Sequence, residues 1–273
     1  MSILAPRTPG GRGLGLVEPE RWDPRNAAHP AHASIGAVGS LPRRASMTDL
    51  VFIPPDLPFL DQFNAQKCVG CQGLQVVHVA SRSMGITPIT PSDNALYYQG
   101  RARRYGWDAI WDGGSNPHEV LSSMREVGIV RYEDWPHDTP INACPPPDAY
   151  RKGADRSWFA YEWILTGGAA RTRETMAILA SRAPVGAALQ VDEGLEAWMP
   201  GDDPWERRGP ILGGHAVTIV GYDTLANDTI VFVVANSWGP IHDHGFFLLS
   251  QRALESTETT YLWRAKIDPE KVP

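Results

Sequence analysis

Cysteine is scarce in this chain, which has three cysteines among its 273 residues. Three cysteines cannot supply the several disulfides that hold a small secreted domain together, and this favours a reducing compartment. No run of apolar residues approaches the ~18 that a membrane-spanning helix needs. The first residues also lack the apolar stretch of a cleavable signal peptide. We therefore expect a cytoplasmic protein without a transmembrane segment.

An excess of positive charge is lacking as well. The formal net charge is −6 and the isoelectric point is about 5.7, with no basic stripe, so nucleic acid is not an expected partner. What is present is apolar: 42% of the residues are hydrophobic, and ten are tryptophan. A chain of this length can form one large domain or two lobes around a well-packed core.

Two motifs in the second half of the chain would bring a histidine and an asparagine together. His215 opens a β-branched run that ends near Tyr222, and Asn236 closes the next apolar run. A hairpin of these two strands would place Asn236 beside His215. An amide oxygen that accepts the proton of one ring nitrogen fixes the imidazole tautomer and leaves the other nitrogen free to face a nucleophile.

The candidate nucleophile is Cys68, at the start of a proline-free stretch that we expect to be helical to about Met84. Cys71 follows three residues later, and such a Cys-x-x-Cys also occurs in redox and zinc sites. A zinc site needs two more ligands, whereas Cys144 stands alone in a proline-rich stretch. A redox site leaves the histidine and asparagine motifs unexplained. We interpret Cys71 as a buried small residue one helical turn further on.

With Gln62 added, these residues resemble the papain family of cysteine peptidases, and bacterial or phage-type members in particular. In that family a glutamine lies six residues before the nucleophile, as Gln62 lies before Cys68. His215 follows Cys68 by 147 residues and Asn236 follows it by 168, near the downstream spacing of the family.

The resemblance implies a mechanism that uses no metal and no organic cofactor. An imidazolium from His215 and the helix N-terminus would hold Cys68 as a thiolate that attacks an amide carbonyl. The Gln62 side chain and the backbone N–H of Cys68 would stabilise the oxyanion. His215 would then protonate the leaving amine and activate the water that frees the acyl-enzyme.

The resemblance also implies substrate-binding residues. Gly113 and Gly114 would line the cleft and pair with an extended peptide, although a plain turn before a capped helix explains them too. Gly214 is the residue before the histidine and is a further candidate. Trp238 would shield the hydrogen bond between the histidine and the asparagine from water, and it is equally compatible with an ordinary core position.

Some positions depart from the family pattern. Papain has glycines where this chain has Phe63 and Gln66, and an aromatic residue where it has Val69. Ala65 replaces a half-cystine, so the familiar disulfide cannot form there. The competence of the oxyanion hole therefore depends on the path of the loop Phe63–Lys67.

The sequence predicts an α+β, papain-like two-lobe fold with the cleft between the lobes. Residues 1–48 form an extended Gly- and Pro-rich arm, too short and too poor in helix formers for a long helical inhibitory propeptide. The catalytic domain covers residues 49–265, with a helical left lobe to about 150 and an antiparallel, barrel-like right lobe after it, and a tail covers 266–273. Helices are expected at 68–84, 94–105, 120–127 and 171–181, and strands at 184–191, 216–222, 229–235 and 245–249.

The expected activity is that of a cysteine endopeptidase acting on peptide or protein substrates, with no membrane partner. One alternative is a papain-fold protein with a structural or binding role in a larger assembly, for example a virion-associated component whose arm docks on a partner. Another is a thiol acyltransferase or deamidase that uses the same triad. The arm carries irregularly spaced apolar anchors, and we favour docking on its own lobes. These anchors are Leu14, Leu16, Val17, Trp22 and Ile35, with Trp22-Asp23-Pro24-Arg25 as a local anchor.

Overall fold

The computed structural model describes residues 8–16, 41–155 and 157–272. A helical lobe comes first in the chain and a sheet follows, as the sequence predicts. The helices of the first lobe are α1 (Cys68–Ser83), α2 (Asp93–Tyr105), α3 (Pro117–Glu126) and α4 (Pro147–Lys152). Those of the second are α5 (Gly168–Ala180), α6 (Glu193–Ala197), the short turn α7 (Ile241–His244) and α8 (Gln251–Glu255).

The second lobe is built on an antiparallel sheet. Its strands are β1 (Arg44–Ser46), β2 (Phe159–Trp163), β3 (Val185–Val191), β4 (Gly213–Thr224), β5 (Ile230–Ala235), β6 (Phe246–Ser250) and β7 (Thr259–Ile267). Their order is β2-β7-β3-β4-β5-β6, with β1 paired to β4. The predicted helices and strands are confirmed with small shifts at their ends. The strands β1, β2 and β7 were not predicted; β1 lies within the segment assigned to the arm, and β7 runs into the segment assigned to the tail.

The two faces of this sheet bury different cores. Along β3, Ala187 packs into the core of the second lobe, whereas its neighbour Ala188 packs against α1 and the first lobe. Val217 and Ala216 on β4 divide in the same way, because successive side chains of a strand point to opposite faces. Alanines on the inner face allow α1 to approach the sheet closely.

The central element is α1, whose residues from Cys68 to Ser81 are all buried. A polar side chain attaches it to the sheet: Gln72 Nε2 donates to the carbonyl oxygens of Ala187 and Val217, each at 2.7 Å. The Nε1–H of Trp263 donates to Gln72 Oε1 at 3.0 Å. These buried bonds fix the position of α1 one turn beyond Cys68.

Side-chain caps define where the next two helices begin. Ser92 accepts a hydrogen bond from the backbone N–H of Ala95 at 3.0 Å, and Asn116 accepts one from Glu119 at 2.9 Å. Capping residues of this kind satisfy backbone donors that a helix leaves unpaired at its first turn. Within the described ranges, every helix is too short or too polar to cross a bilayer.

Candidate active site

Cys68 is the first residue of α1 and is completely buried. The backbone N–H groups of Ala216 and of Gly15 act on its sulfur and lower the pKa of the thiol, against the larger effect of burial. Ala216 follows His215 on β4, so the helix start and the histidine strand meet at this point. The sequence motifs alone predict that Cys68 and His215 lie close together. The structure places both residues at the junction of the two lobes.

His215 and Asn236 form the expected pair. The distance from His215 Nε2 to Asn236 Oδ1 is 2.7 Å, and β4 and β5 pair with Thr218 opposite Ala235, directly before the asparagine. An amide oxygen only accepts, so Nε2 carries the proton. Nδ1 of His215 has no hydrogen-bond partner among the described residues. The Trp238 ring stacks on the imidazole, with ring centroids 4.3 Å apart.

Burial controls the protonation of both reactive groups in this geometry. It raises the pKa of the Cys68 thiol to about 11, against smaller opposing effects of backbone N–H groups. It lowers the pKa of His215 to about 4, although the hydrogen bond to Asn236 opposes this. A charged group that loses its water is disfavoured relative to its neutral form. In this geometry burial therefore favours the neutral thiol and the neutral imidazole over the thiolate and imidazolium that the resemblance implies.

Gln62 is fully buried, and hydrogen bonds hold both ends of its side-chain amide. Its Oε1 accepts from the hydroxyl of Ser237 at 2.7 Å, so its amide nitrogen points the other way. Nε2 donates to the carbonyl oxygen of Ala65 at 2.8 Å and to that of Gly13 at 3.0 Å. The second acceptor belongs to the N-terminal arm.

The first described part of the arm, residues 8–16, lies in the cleft between the lobes. The backbone N–H of Ser115 donates to Gly15 O at 2.8 Å, and the N–H of Leu16 donates to Gly214 O at 3.2 Å. Leu14 and Leu16 are 1% and 7% exposed. At the outer end, Arg12 Nη1 lies 2.8 Å from Asp61 Oδ1.

Two glycines allow the arm to approach the wall so closely. A Cβ on Gly13 would lie 2.4 Å from Ala65 O, and a Cβ on Gly15 would lie 1.8 Å from Gln66 O. No side chain fits at either distance. The other predicted arm anchors, Val17, Trp22 and Ile35, and the stretch 22–25 lie outside the described residues.

The glycine pair predicted to hold substrate has a different environment. The N–H of Gly114 donates to Tyr97 Oη at 3.0 Å, and a Cβ on Gly113 would overlap the Trp111 ring. In this structure the backbone that pairs with the arm is that of Ser115, the next residue. Gly214, predicted as a substrate-binding residue, accepts a hydrogen bond from the arm through its carbonyl oxygen.

One residue of the site was not singled out from the sequence. His242 Nε2 donates to Leu195 O at 2.7 Å, which leaves a lone pair on Nδ1. That Nδ1 lies 3.4 Å from Nδ2 of Asn236, so a second histidine stands behind the amide that orients His215. The feature of the sequence that could have indicated His242 is its position six residues after Asn236. Burial lowers the pKa of His242 and favours the neutral ring.

Comparisons with known proteins identify the family of the chain. A family model described as papain family cysteine protease matches residues 112–261, a span that contains His215 and Asn236 and begins after Cys68. No curated protein sequence matches the chain. The chain belongs to the papain family of cysteine proteases and is a cysteine peptidase.

Solved structures share the fold at low sequence identity. Xylellain, a cysteine protease from Xylella fastidiosa, has a TM-score of 0.73 and 20% identity over 98% of this chain and 100% of that one. ProCathepsin B S9 from Trypanosoma congolense has a TM-score of 0.69 and 18% identity, over 95% and 88% of the two chains. For the bromelain protease from Ananas comosus in complex with the E64 inhibitor, the TM-score is 0.62 at 15% identity, over 84% and 100%.

Proposed function

We propose that this peptidase hydrolyses peptide bonds through a Cys68–His215–Asn236 triad and a thioester acyl-enzyme. The observation that carries the proposal is the 2.7 Å contact between His215 Nε2 and Asn236 Oδ1. It fixes the tautomer whose Nδ1 can accept a proton from a nucleophile. Gln62 supplies an oxyanion donor, and Cys68 at the start of α1 supplies a second through its backbone N–H.

The reaction uses these groups in order. The Cys68 proton passes to His215 Nδ1, the sulfur bonds to the substrate carbonyl carbon, and negative charge gathers on the oxygen facing Gln62. The imidazolium returns the proton to the departing amine, and a water molecule deprotonated by His215 then cleaves the thioester. Asn236 keeps the ring in one orientation throughout.

Two cysteine variants test the assignment. We expect Cys68→Ala to abolish hydrolysis of fluorescein-labelled casein and to remove the adduct that a peptidyl epoxide leaves on the protein. Cys71→Ser is the matched control, since Cys71 is equally buried one turn further along α1 and should retain most of the activity. Full activity of Cys68→Ala, or epoxide capture at Cys71, would contradict the proposal.

We also propose that residues 8–16 inhibit the enzyme while they lie in the cleft, a state that we call arm-closed. Attack on the arm would require a single carbonyl group to meet both the sulfur and the oxyanion donor. Here Gln62 donates to the carbonyl of Gly13, whereas the group of Gly15 that acts on the Cys68 sulfur is its backbone N–H and not a carbonyl. The arm thus fills the cleft out of register for cleavage, and the burial it adds favours the neutral thiol.

A further inference from the structure

A buried ionic cluster contacts residues 61–68, the oxyanion segment, which carries both proposed oxyanion donors. Lys67 Nζ is 2.8 Å from Asp93 Oδ2, and His137 Nδ1 is 2.7 Å from the same oxygen. The side chains of Lys67, Asp93 and His137 are 2%, 0% and 3% exposed. Asn94 adds a further acceptor, its Oδ1 lying 2.8 Å from Lys67 Nζ. Ionisable groups so fully enclosed are uncommon unless they are paired.

Hydrogen-bond partners fix the orientation of His137. Nε2 lies 2.6 Å from the carbonyl oxygen of Asp61, and Nδ1 faces the Asp93 carboxylate. A carbonyl oxygen only accepts, so Nε2 donates to Asp61, while Nδ1 also lies 3.3 Å from Lys67 Nζ. Burial alone would raise the pKa of Asp93, but Lys67 and His137 outweigh it and hold that pKa well below its usual range.

The cluster touches the oxyanion segment at both ends. His137 donates to the carbonyl of Asp61, the residue directly before Gln62. Lys67 is the residue directly before Cys68. The two proposed oxyanion donors, the Gln62 amide and the Cys68 backbone N–H, therefore each follow a residue that the cluster holds in place.

A buried lysine–carboxylate pair with a histidine on the same oxygen is a poor choice for stability alone, because desolvation of buried charges offsets much of their attraction. A role in positioning explains them better. We propose that His137 and Lys67 are positioning residues, which fix the segment 61–68 so that Gln62 and the Cys68 N–H converge on the oxyanion. This inference rests on the proposed function. The cluster would hold in place the loop around Ala65, where the resemblance implies that other family members have a disulfide.

Two isosteric variants of His137 test the tether. His137→Gln places an amide N–H where Nε2 stands and keeps the bond to Asp61, whereas His137→Asn reaches only toward Asp93. In the full-length protein we expect kcat on a fluorogenic peptide to fall about tenfold in His137→Asn, with KM within about twofold. His137→Gln should stay within about twofold of wild type. The expected loss is smaller than the roughly hundredfold effect of removing an oxyanion donor, because the donor is displaced and not lost.

A second readout separates positioning from general structure. Alkylation of Cys68 by iodoacetamide displaces iodide and needs no oxyanion hole, so its rate should change less than about twofold in both variants. Equal losses of kcat and alkylation would show a merely structural role and overturn the inference, as would an unchanged kcat in His137→Asn. In a Gln62→Ala background His137→Asn should have no further effect on kcat, since both changes act on one donor.

Lys67→Met keeps the test open if His137→Asn does not fold. This variant removes the lysine from Asp93 but leaves the contact with His137, and it should show the same fall in kcat without a fall in alkylation. The control for the proposed function is Cys68→Ala. An active Cys68→Ala protein refutes the triad, whereas an inactive one combined with a normal kcat in His137→Asn and Lys67→Met refutes only the positioning role.

Discussion

The arm-closed state makes Gly15→Ala an activating substitution. A Cβ at this position would lie 1.8 Å from the carbonyl oxygen of Gln66 and 2.3 Å from its carbonyl carbon. These are backbone atoms, so no change of rotamer relieves the overlap. We expect the added methyl group to displace the arm from the cleft while leaving the two lobes unchanged.

The magnitude follows from the bonds that the displacement breaks. The Ser115 N–H to Gly15 O bond and the Leu16 N–H to Gly214 O bond each contribute about 0.5–1.5 kcal/mol net. Their loss, about 1–3 kcal/mol in all, lowers the ratio of closed to open molecules by about 5- to 150-fold. The rate of any reaction that requires an open cleft should rise by a similar factor while the closed state dominates.

Site-resolved alkylation measures this rate. Iodoacetamide is added at pH 7 and modification of Cys68 is followed by peptide mass spectrometry, in a Cys144→Ser background because Cys144 is exposed. Labelled casein hydrolysis is measured alongside. The matched control is Gly167→Ala, since a Cβ at Gly167 meets no heavy atom within 4 Å. If folded Gly15→Ala protein reacts no faster than the control, the arm does not limit access and the proposed inhibition is wrong.

Further predictions concern the two histidines behind the nucleophile. The pKa of His215 is lowered to about 4 from an ordinary 6.5, so the closed state binds fewer protons than a hydrated one. Its stability is complete above pH 6.5 and is lost as the pH falls toward 4, by up to ~3 kcal/mol. The ratio of Cys68 labelling by dithiodipyridine in Gly15→Ala to that in wild type should approach one over this range; a constant ratio would refute the linkage. For His242→Phe, which keeps an aromatic ring but removes the acceptor, we expect kcat to fall about three- to tenfold with KM unchanged, and a normal kcat would show that Asn236 is oriented without it.

Local patterns predicted the parts of the fold that matter most to the chemistry. The helix from Cys68 and the hairpin that joins His215 to Asn236 were both evident, because each is encoded by a continuous periodic run. The strands β2 and β7 were missed. They are the edge strand and its neighbour in the sheet. The residues of Phe159–Trp163 do not indicate that this strand pairs with Thr259–Ile267, about a hundred residues further along the chain.

The ionic cluster was beyond prediction for a different reason. Lys67, Asp93 and His137 come from three separate segments, and each alone has the appearance of an ordinary surface residue. Only the packing of α1 against α2 and the loop at 137 encloses them. The surface on which the arm docks could not be predicted either. Leu14 and Leu16 lie in an irregular Gly-rich stretch, and this pattern does not indicate which surface they cover.

The oxyanion loop and the arm fit each other through their backbones. The carbonyl groups of Ala65 and Gln66 face the arm, and a backbone carbonyl is present whatever the side chain. In the closed state the glycines belong to the bound strand: Gly13 meets Ala65, and Gly15 meets Gln66. A strand with side chains at these two positions cannot adopt this pose. The loop and the arm are therefore complementary to each other, and it is the glycines of the arm, not the residue types of the loop, that permit the close approach on which the proposed inhibition depends.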